Sequence, residues 1–122
     1  MYNILIVDDE YDNRFLLREI VKEFTKNLYE ADNGKKAIDI LENNDIDIIL
    51  MDVNMQILNG VEATSYIRSK LSHPKNTIPI IALTAYNSNM VFGNKTIRDA
   101  GFDLIFIKPY ICLLWSDYPA SK

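Results

Sequence analysis

Two apolar runs each finish in carboxylate. The first is Asn3-Ile4-Leu5-Ile6-Val7-Asp8-Asp9, and the second is Asp47-Ile48-Ile49-Leu50-Met51-Asp52. Short apolar runs of this kind are expected of strands covered on both faces, as in a parallel sheet. If both strands run the same way, their acidic ends share the carboxyl edge of the sheet. Open α/β sheets place their ligands at that edge. Clustered carboxylates repel one another unless a cation or a proton intervenes. The pattern therefore predicts an oxygen-lined Mg²⁺ site beside one special aspartate.

The 122 residues, 48% of them hydrophobic, suit one compact domain over 1–122 that buries roughly two-thirds of its unfolded surface. A net charge of −4 gives no basic footprint for nucleic acid. No apolar run approaches the ~20 residues of a membrane span. The N-terminus enters a strand pattern at once, so no secretory signal is expected. Cys112 is the only cysteine, which excludes an internal disulfide; it reads as a small hydrophobe. Together these features favour the cytoplasm.

Strand and helix patterns alternate along the chain. Residues 3–7 read as strand. Residues 11–25 read as helix, with Phe15, Leu16, Ile20, Val21 and Phe24 three and four apart. A weak strand follows at 27–31, and then a helix at 35–43 with Ala37, Ile38 and Leu41 on one face. Residues 46–51 form a nearly all-apolar strand and 61–71 a helix. Residues 78–83 read as strand, with Pro79 near its start, where a missing N–H is tolerable. A helix is expected at 89–100, ended by Gly101, and a last strand at 103–107. Right-handed crossovers place such helices on both faces of one parallel sheet. The predicted fold is α/β, a doubly wound five-stranded parallel sheet with 2-1-3-4-5 as the favoured order.

Strands 1, 3, 4 and 5 all finish in polar residues: Asp8 and Asp9, then Asp52, then Thr84, then Lys108 before Pro109. Carboxylates with a carbonyl and water suit Mg²⁺. A lysine and a hydroxyl beside them suit phosphoryl oxygens. Phosphoryl transfer needs positioning and charge neutralisation above all, and an aspartate can act as the nucleophile. Taken singly, each residue has an ordinary structural role. Asp8 or Asp9 can cap a helix, Thr84 can be a strand residue, and Lys108 a solvated charge. His73 reads as an exposed loop histidine.

Taken together, the motifs resemble those of response-regulator receiver domains of two-component signalling, which have a flavodoxin-like fold. The matching pieces are Val7-Asp8-Asp9, Met51-Asp52-Val53-Asn54-Met55, Asn59-Gly60, Ala82-Leu83-Thr84-Ala85 and Ile107-Lys108-Pro109. They stand in family order over residues 3–109. The resemblance implies that Asp52 accepts a phosphoryl group from a histidine kinase or a histidine phosphotransfer domain. It implies that Asp9 and Asp52 ligate Mg²⁺ directly, that Asp8 acts mainly through water, and that the Asn54 backbone carbonyl completes the set. Thr84 and Lys108 would bind phosphoryl oxygens. Such a domain catalyses its own phosphorylation and dephosphorylation but is not a turnover enzyme. The stretch Gly60-Val61-Glu62-Ala63-Thr64, with Ile67-Arg68, is most similar to receivers of hybrid sensor kinases.

The chain departs from the family in several places. Gln56 replaces the proline expected after Met55, which should loosen the loop behind Asp52. Ile105 stands where the family usually carries Tyr or Phe, with Phe106 next to it on the opposite face. That puts the family's aromatic switch in question. In the family the side chain two after the threonine governs access of the hydrolytic water, and the resemblance puts Tyr86 there. After Pro109, only Tyr110 to Lys122 remain, so a shortened last helix is expected. The apolar run 110–115 predicts self-association as a homodimer. Three other functions are compatible with an α/β fold of this kind. Asp8-Asp9-Glu10 would repel an FMN phosphate, and Asp52-Val53-Asn54 is not the Asp-x-Asp of a haloacid-dehalogenase-type hydrolase. A degenerate receiver serving only as an interaction module is the remaining alternative.

Overall fold

The computed structural model describes residues 1–85, 91–92 and 95–107. Along the chain run β1 (Tyr2–Val7), α1 (Tyr11–Val21), β2 (Thr25–Ala31), α2 (Gly34–Asn43), β3 (Ile48–Asp52), α3 (Gly60–Lys70), β4 (Ile80–Thr84), β5 (Val91–Phe92), β6 (Lys95–Thr96) and β7 (Leu104–Ile107). Five of the strands form one sheet in the order β2-β1-β3-β4-β7, with every pairing parallel. This is the expected 2-1-3-4-5 arrangement, with β7 as the fifth sheet strand.

Alternation along β1 separates the two faces. Leu5 and Val7 pack with Ala37, Ile38 and Leu41 of α2 and with Ala63 and Ile67 of α3. Ile4 and Ile6 pack with Leu17 of α1, Leu50 and Leu83. Each such large side chain, taken from water, contributes roughly 1.5–3 kcal/mol. Helix α2 is capped by Asn33, whose side chain accepts from Lys36 N. At α3, Asn59 and Glu62 form a reciprocal capping box, which satisfies donors that a helix start leaves unpaired.

Three expectations need correction. In α1 the residue turned to the core is Leu17, whereas Phe15 is 46%, Leu16 40% and Phe24 56% exposed. Phe15 instead lies beneath the Arg18 guanidinium, 5.4 Å from the ring centre, and Tyr11 beneath that of Arg14 at 5.7 Å. The α-helix ends at Val21, and Phe24 falls in a 3-10 turn. Second, the helix expected at 89–100 is not what forms. Val91 and Phe92 pair antiparallel with Thr96 and Lys95, and a 3-10 turn at Arg98–Ala100 follows. The intervening Gly93-Asn94 dipeptide is a hairpin signal in the sequence, and it prevails over the expected helix. Gly101 ends that turn as expected, with φ +107°, a region that glycine enters without Cβ strain. Third, β3 and β4 each begin two residues later than expected, at Ile48 and Ile80. Pro79 stays outside the strand while its carbonyl accepts from Ile49 N. The shortened last helix and the apolar run 110–115 lie outside the described residues. No described helix is long and apolar enough to cross a membrane.

Candidate functional site

The register of the sheet assembles the acidic rim. Val7 pairs with Met51, so the residues that follow, Asp8 and Asp52, leave their strands at one level. Asp8, Asp9 and Asp52 each place a carboxylate oxygen within 4.8 Å of the other two. Asp8 is fully buried and Asp52 is 2% exposed, whereas Asp9 faces solvent.

Hydrogen bonds fix each group in turn. Asp8 N donates to Ala31 O at 3.1 Å. Asp8 Oδ1 accepts from Glu10 N at 2.9 Å and from Asn13 Nδ2 at 3.4 Å. Asp8 thus holds the turn into α1 without capping the helix, whose N-cap residue Glu10 has no side-chain cap hydrogen bond. Arg14 Nη1 donates to the Asp8 carbonyl at 2.8 Å while Nε holds Glu30 at 3.0 Å. Asp52 Oδ1 accepts from Asn54 N at 3.3 Å. Val53 N donates to Leu83 O at 3.1 Å, and Gly60 N donates to Val53 O at 2.9 Å. The end of β3 is therefore tied to β4 on one side and to the start of α3 beyond it.

Thr84 ends β4 and is buried, with 1% exposure. Its level in the sheet follows from the pairing of Asp52 with Leu83. Asn54 is exposed, just beyond Asp52. The structure thus brings Asp8, Asp9, Asp52, Asn54 and Thr84 to one rim. Lys108 and Tyr86 lie outside the described residues. Ile105 packs against Val53, Val61, Ala82, Ile97 and Ala100, while Phe106 packs on the α1 face with Leu83 and Leu50. The opposite facing of this pair, read from strand alternation, is observed.

Two further features shape the rim. Ile57, in the loop behind Asp52, has φ +70°, a genuine outlier for a β-branched residue. Nothing in its residue type announces this. The Asn59–Glu62 capping box, in contrast, is legible as Asn-x-x-Glu just before an apolar helix face. Next to the pocket, Lys36 Nζ stands 3.1 Å from Asp32 Oδ1, and this hydrogen bond holds the Asp32 carboxyl below its ordinary value of 3.8.

An all-oxygen donor set with three carboxylates fits a hard divalent cation such as Mg²⁺. The flanking hydroxyl of Thr84 fits a tetrahedral oxyanion.

Comparison with known proteins places these features in a family. A sequence profile of the response regulator receiver domain matches residues 4–111. The CAI-1 autoinducer sensor kinase/phosphatase CqsS of Vibrio cholerae is 30% identical over 106 residues, which is 87% of this chain and 15% of that protein. The chain thus spans about a seventh of that relative's length. Among solved structures, the response regulator TrrA of Thermotoga maritima, in complex with Mg²⁺-BeF, superposes with a TM-score of 0.75. It is 30% identical, with 95% of this chain and 96% of that chain covered. The receiver domain of a sensor histidine kinase from Pseudomonas aeruginosa, with a magnesium ion coordinated in its active-site cleft, gives a TM-score of 0.75 at 26% identity. There 94% of this chain and 92% of that chain are covered.

Proposed function

The chain belongs to the response regulator receiver domain family of two-component signalling, and from that premise we propose that Asp52 is its phosphoacceptor. The observation that carries the reading is the trio Asp8, Asp9 and Asp52, gathered within 4.8 Å at the carboxyl edge of the sheet. Asp9 and Asp52 would ligate Mg²⁺ directly, Asp8 mainly through water, and the Asn54 carbonyl would complete the protein ligands. The ion would supply positive charge that offsets repulsion between carboxylates and phosphoryl oxygens.

In this reading a carboxylate oxygen of Asp52 attacks phosphorus, and an acyl phosphate forms as the bond to the donor nitrogen of a phosphohistidine breaks. The donor is a histidine kinase or a histidine phosphotransfer domain. The backbone N–H of Asn54 orients the acceptor carboxylate, Thr84 donates its hydroxyl to a phosphoryl oxygen, and Lys108 pairs with another. Retention of all these residue types argues against a module that only binds partners. Residues 1–122 act as one receiver unit in the cytoplasm, and self-association through 110–115 is part of the proposal. The exposed Leu104 and Ile107 of β7 extend the apolar surface such a contact would use.

Incubation with Mg²⁺ and acetyl phosphate tests the central claim. Mass spectrometry should show one added phosphate, absent in Asp52→Asn. Labelling that persists in that variant would remove Asp52 from the role.

A further inference from the structure

Arg68, near the end of α3, joins two strands at the edge of the sheet opposite the acidic rim. Its Nε donates to Gly101 O at 2.9 Å. Its Nη1 donates to Asn76 O at 3.1 Å and to Ile78 O at 2.8 Å, and its Nη2 donates to Asp103 Oδ2 at 2.8 Å. Asp103 extends the connection. Its Oδ2 also accepts from Ile80 N at 2.8 Å, and its own N–H donates to Ile80 O at 2.8 Å. Asn76 and Ile78 lead into β4, and Gly101 and Asp103 lead into β7. Among the described residues, these partners of the guanidinium all precede the same two strands, and none lies on β1 or β3.

Strand β7 needs such a fixture. It has four residues, and among the described residues it pairs on one side only, with β4. Leu104 is 56% and Ile107 47% exposed, and Ile105 and Phe106 are half-buried. Burial of one face is what normally specifies register, and a slip of one residue turns every side chain to the other face. With so little burial, the clamp at Ile80 and Asp103 supplies the missing specification. From there the ladder runs from Ile81–Leu104 to Thr84–Ile107, roughly 13 Å at ~3.3 Å per residue. Lys108 is the next residue in the sequence.

We infer that Arg68 is a positioning residue for phosphoryl acceptance at Asp52. From the far edge of the sheet it sets the register of β7 on β4. It thereby holds Thr84 opposite Ile107, the residue before Lys108 in the sequence. The inference rests on the acceptor reading above. It adds a residue that touches neither the phosphoryl group nor the metal ligands.

The test separates alignment from plain loss of structure. Arg68→Ala, Arg68→Lys and Asp103→Asn are compared with the parent chain in two measurements. One is Mg²⁺ affinity by calorimetry, which reads carboxylates on the β1 and β3 side. The other is the rate of Asp52 labelling by acetyl phosphate at saturating Mg²⁺, corrected for folded fraction. In Arg68→Ala, Mg²⁺ affinity should stay within about twofold while labelling slows on the order of ten- to a hundredfold, the scale of a small misplacement of reacting groups. Arg68→Lys, which cannot reproduce the planar fork, should recover part of the rate, and Asp103→Asn should lose part of it. Amide exchange in β7 should quicken in the same order. A folded Arg68→Ala that labels at the parent rate overturns the inference. So does a Mg²⁺ affinity that falls as far as the rate. If Arg68→Ala does not fold, the same two measurements on Asp103→Asn decide. A parent chain that takes no label at all would sink the acceptor reading itself, and the inference with it.

Discussion

Gly60 lies so close to Asp52 that a Cβ on Gly60 would stand 2.2 Å from the Asp52 backbone oxygen, and 2.8 Å from Val53 Cα. The first residue of α3 therefore rests directly on the peptide that carries the acceptor side chain. Gly60→Ala would ordinarily favour a helix by ~1 kcal/mol. Here the methyl group meets backbone, which cannot step aside as a side chain can. Overpacking of this kind costs about 1–3 kcal/mol. The expected outcome is a lower urea midpoint, with labelling of Asp52 slowed beyond what the folded fraction explains. A variant at least as stable as the parent would show that the contact relaxes freely.

The loop between these two residues stores strain at Ile57. Its φ of +70° is costly for a β-branched side chain, of order 1–3 kcal/mol. Burial gives little back, because Ile57 is 79% exposed. Ile57→Asn, whose side chain tolerates the left-handed region, should raise stability by about 1 kcal/mol. For a chain of this length that is a few degrees in melting temperature. An unchanged or lowered melting temperature would show that the loop is not strained in solution.

The route from residues to rim was short where one physical signal acted alone. Apolar runs ending in Asp8 and Asp52 specify two buried parallel strands, and parallel pairing then brings their carboxylates together. Thr84 followed from the same logic on β4. Sequence and structure part where two signals compete. Phe15 and Leu16 share helical spacing with Ile20, but Leu17 is the residue that turns to the sheet, and two arginines cover the rings left outside. At 91–96 the Gly93-Asn94 hairpin signal stood inside the segment read as helix up to Gly101, and the strands paired. The clamp at Arg68 had no local signature, because its partners are 8 to 35 residues away in the chain.

Asp32 beside the rim should titrate below 3.8, because Lys36 donates to it. A carboxylate whose folded pKa is depressed adds stability above its unfolded value. That contribution disappears as pH falls through the lower, folded value. The window therefore lies below about pH 4. Both side chains are largely exposed, so the contribution is small and screened by salt. Lys36→Met should return the Asp32 titration, followed by NMR, toward 3.8. Stability near neutral pH should change little. An Asp32 titration that stays low in the variant would assign the shift to another cause.

Asp9 gives the sharpest test of the metal reading, because it is the exposed member of the trio and can be changed without emptying a core position. With three carboxylates within 4.8 Å, the metal-free pocket is repulsive. A like-charged pair near 4 Å costs about 1 kcal/mol even in a water-like dielectric. Asp9→Asn keeps the shape and removes one charge. Without Mg²⁺, the variant should therefore melt a few degrees above the parent. With Mg²⁺ at a hundred times its dissociation constant, the parent should gain ~2.7 kcal/mol, as expected for a ligand that binds only the folded chain. The variant should gain almost none of this at the same concentration. The two melting curves should then cross as Mg²⁺ is added. Parallel curves, with equal stabilisation of both proteins, would mean that Asp9 is not a ligand and that the ion is held elsewhere.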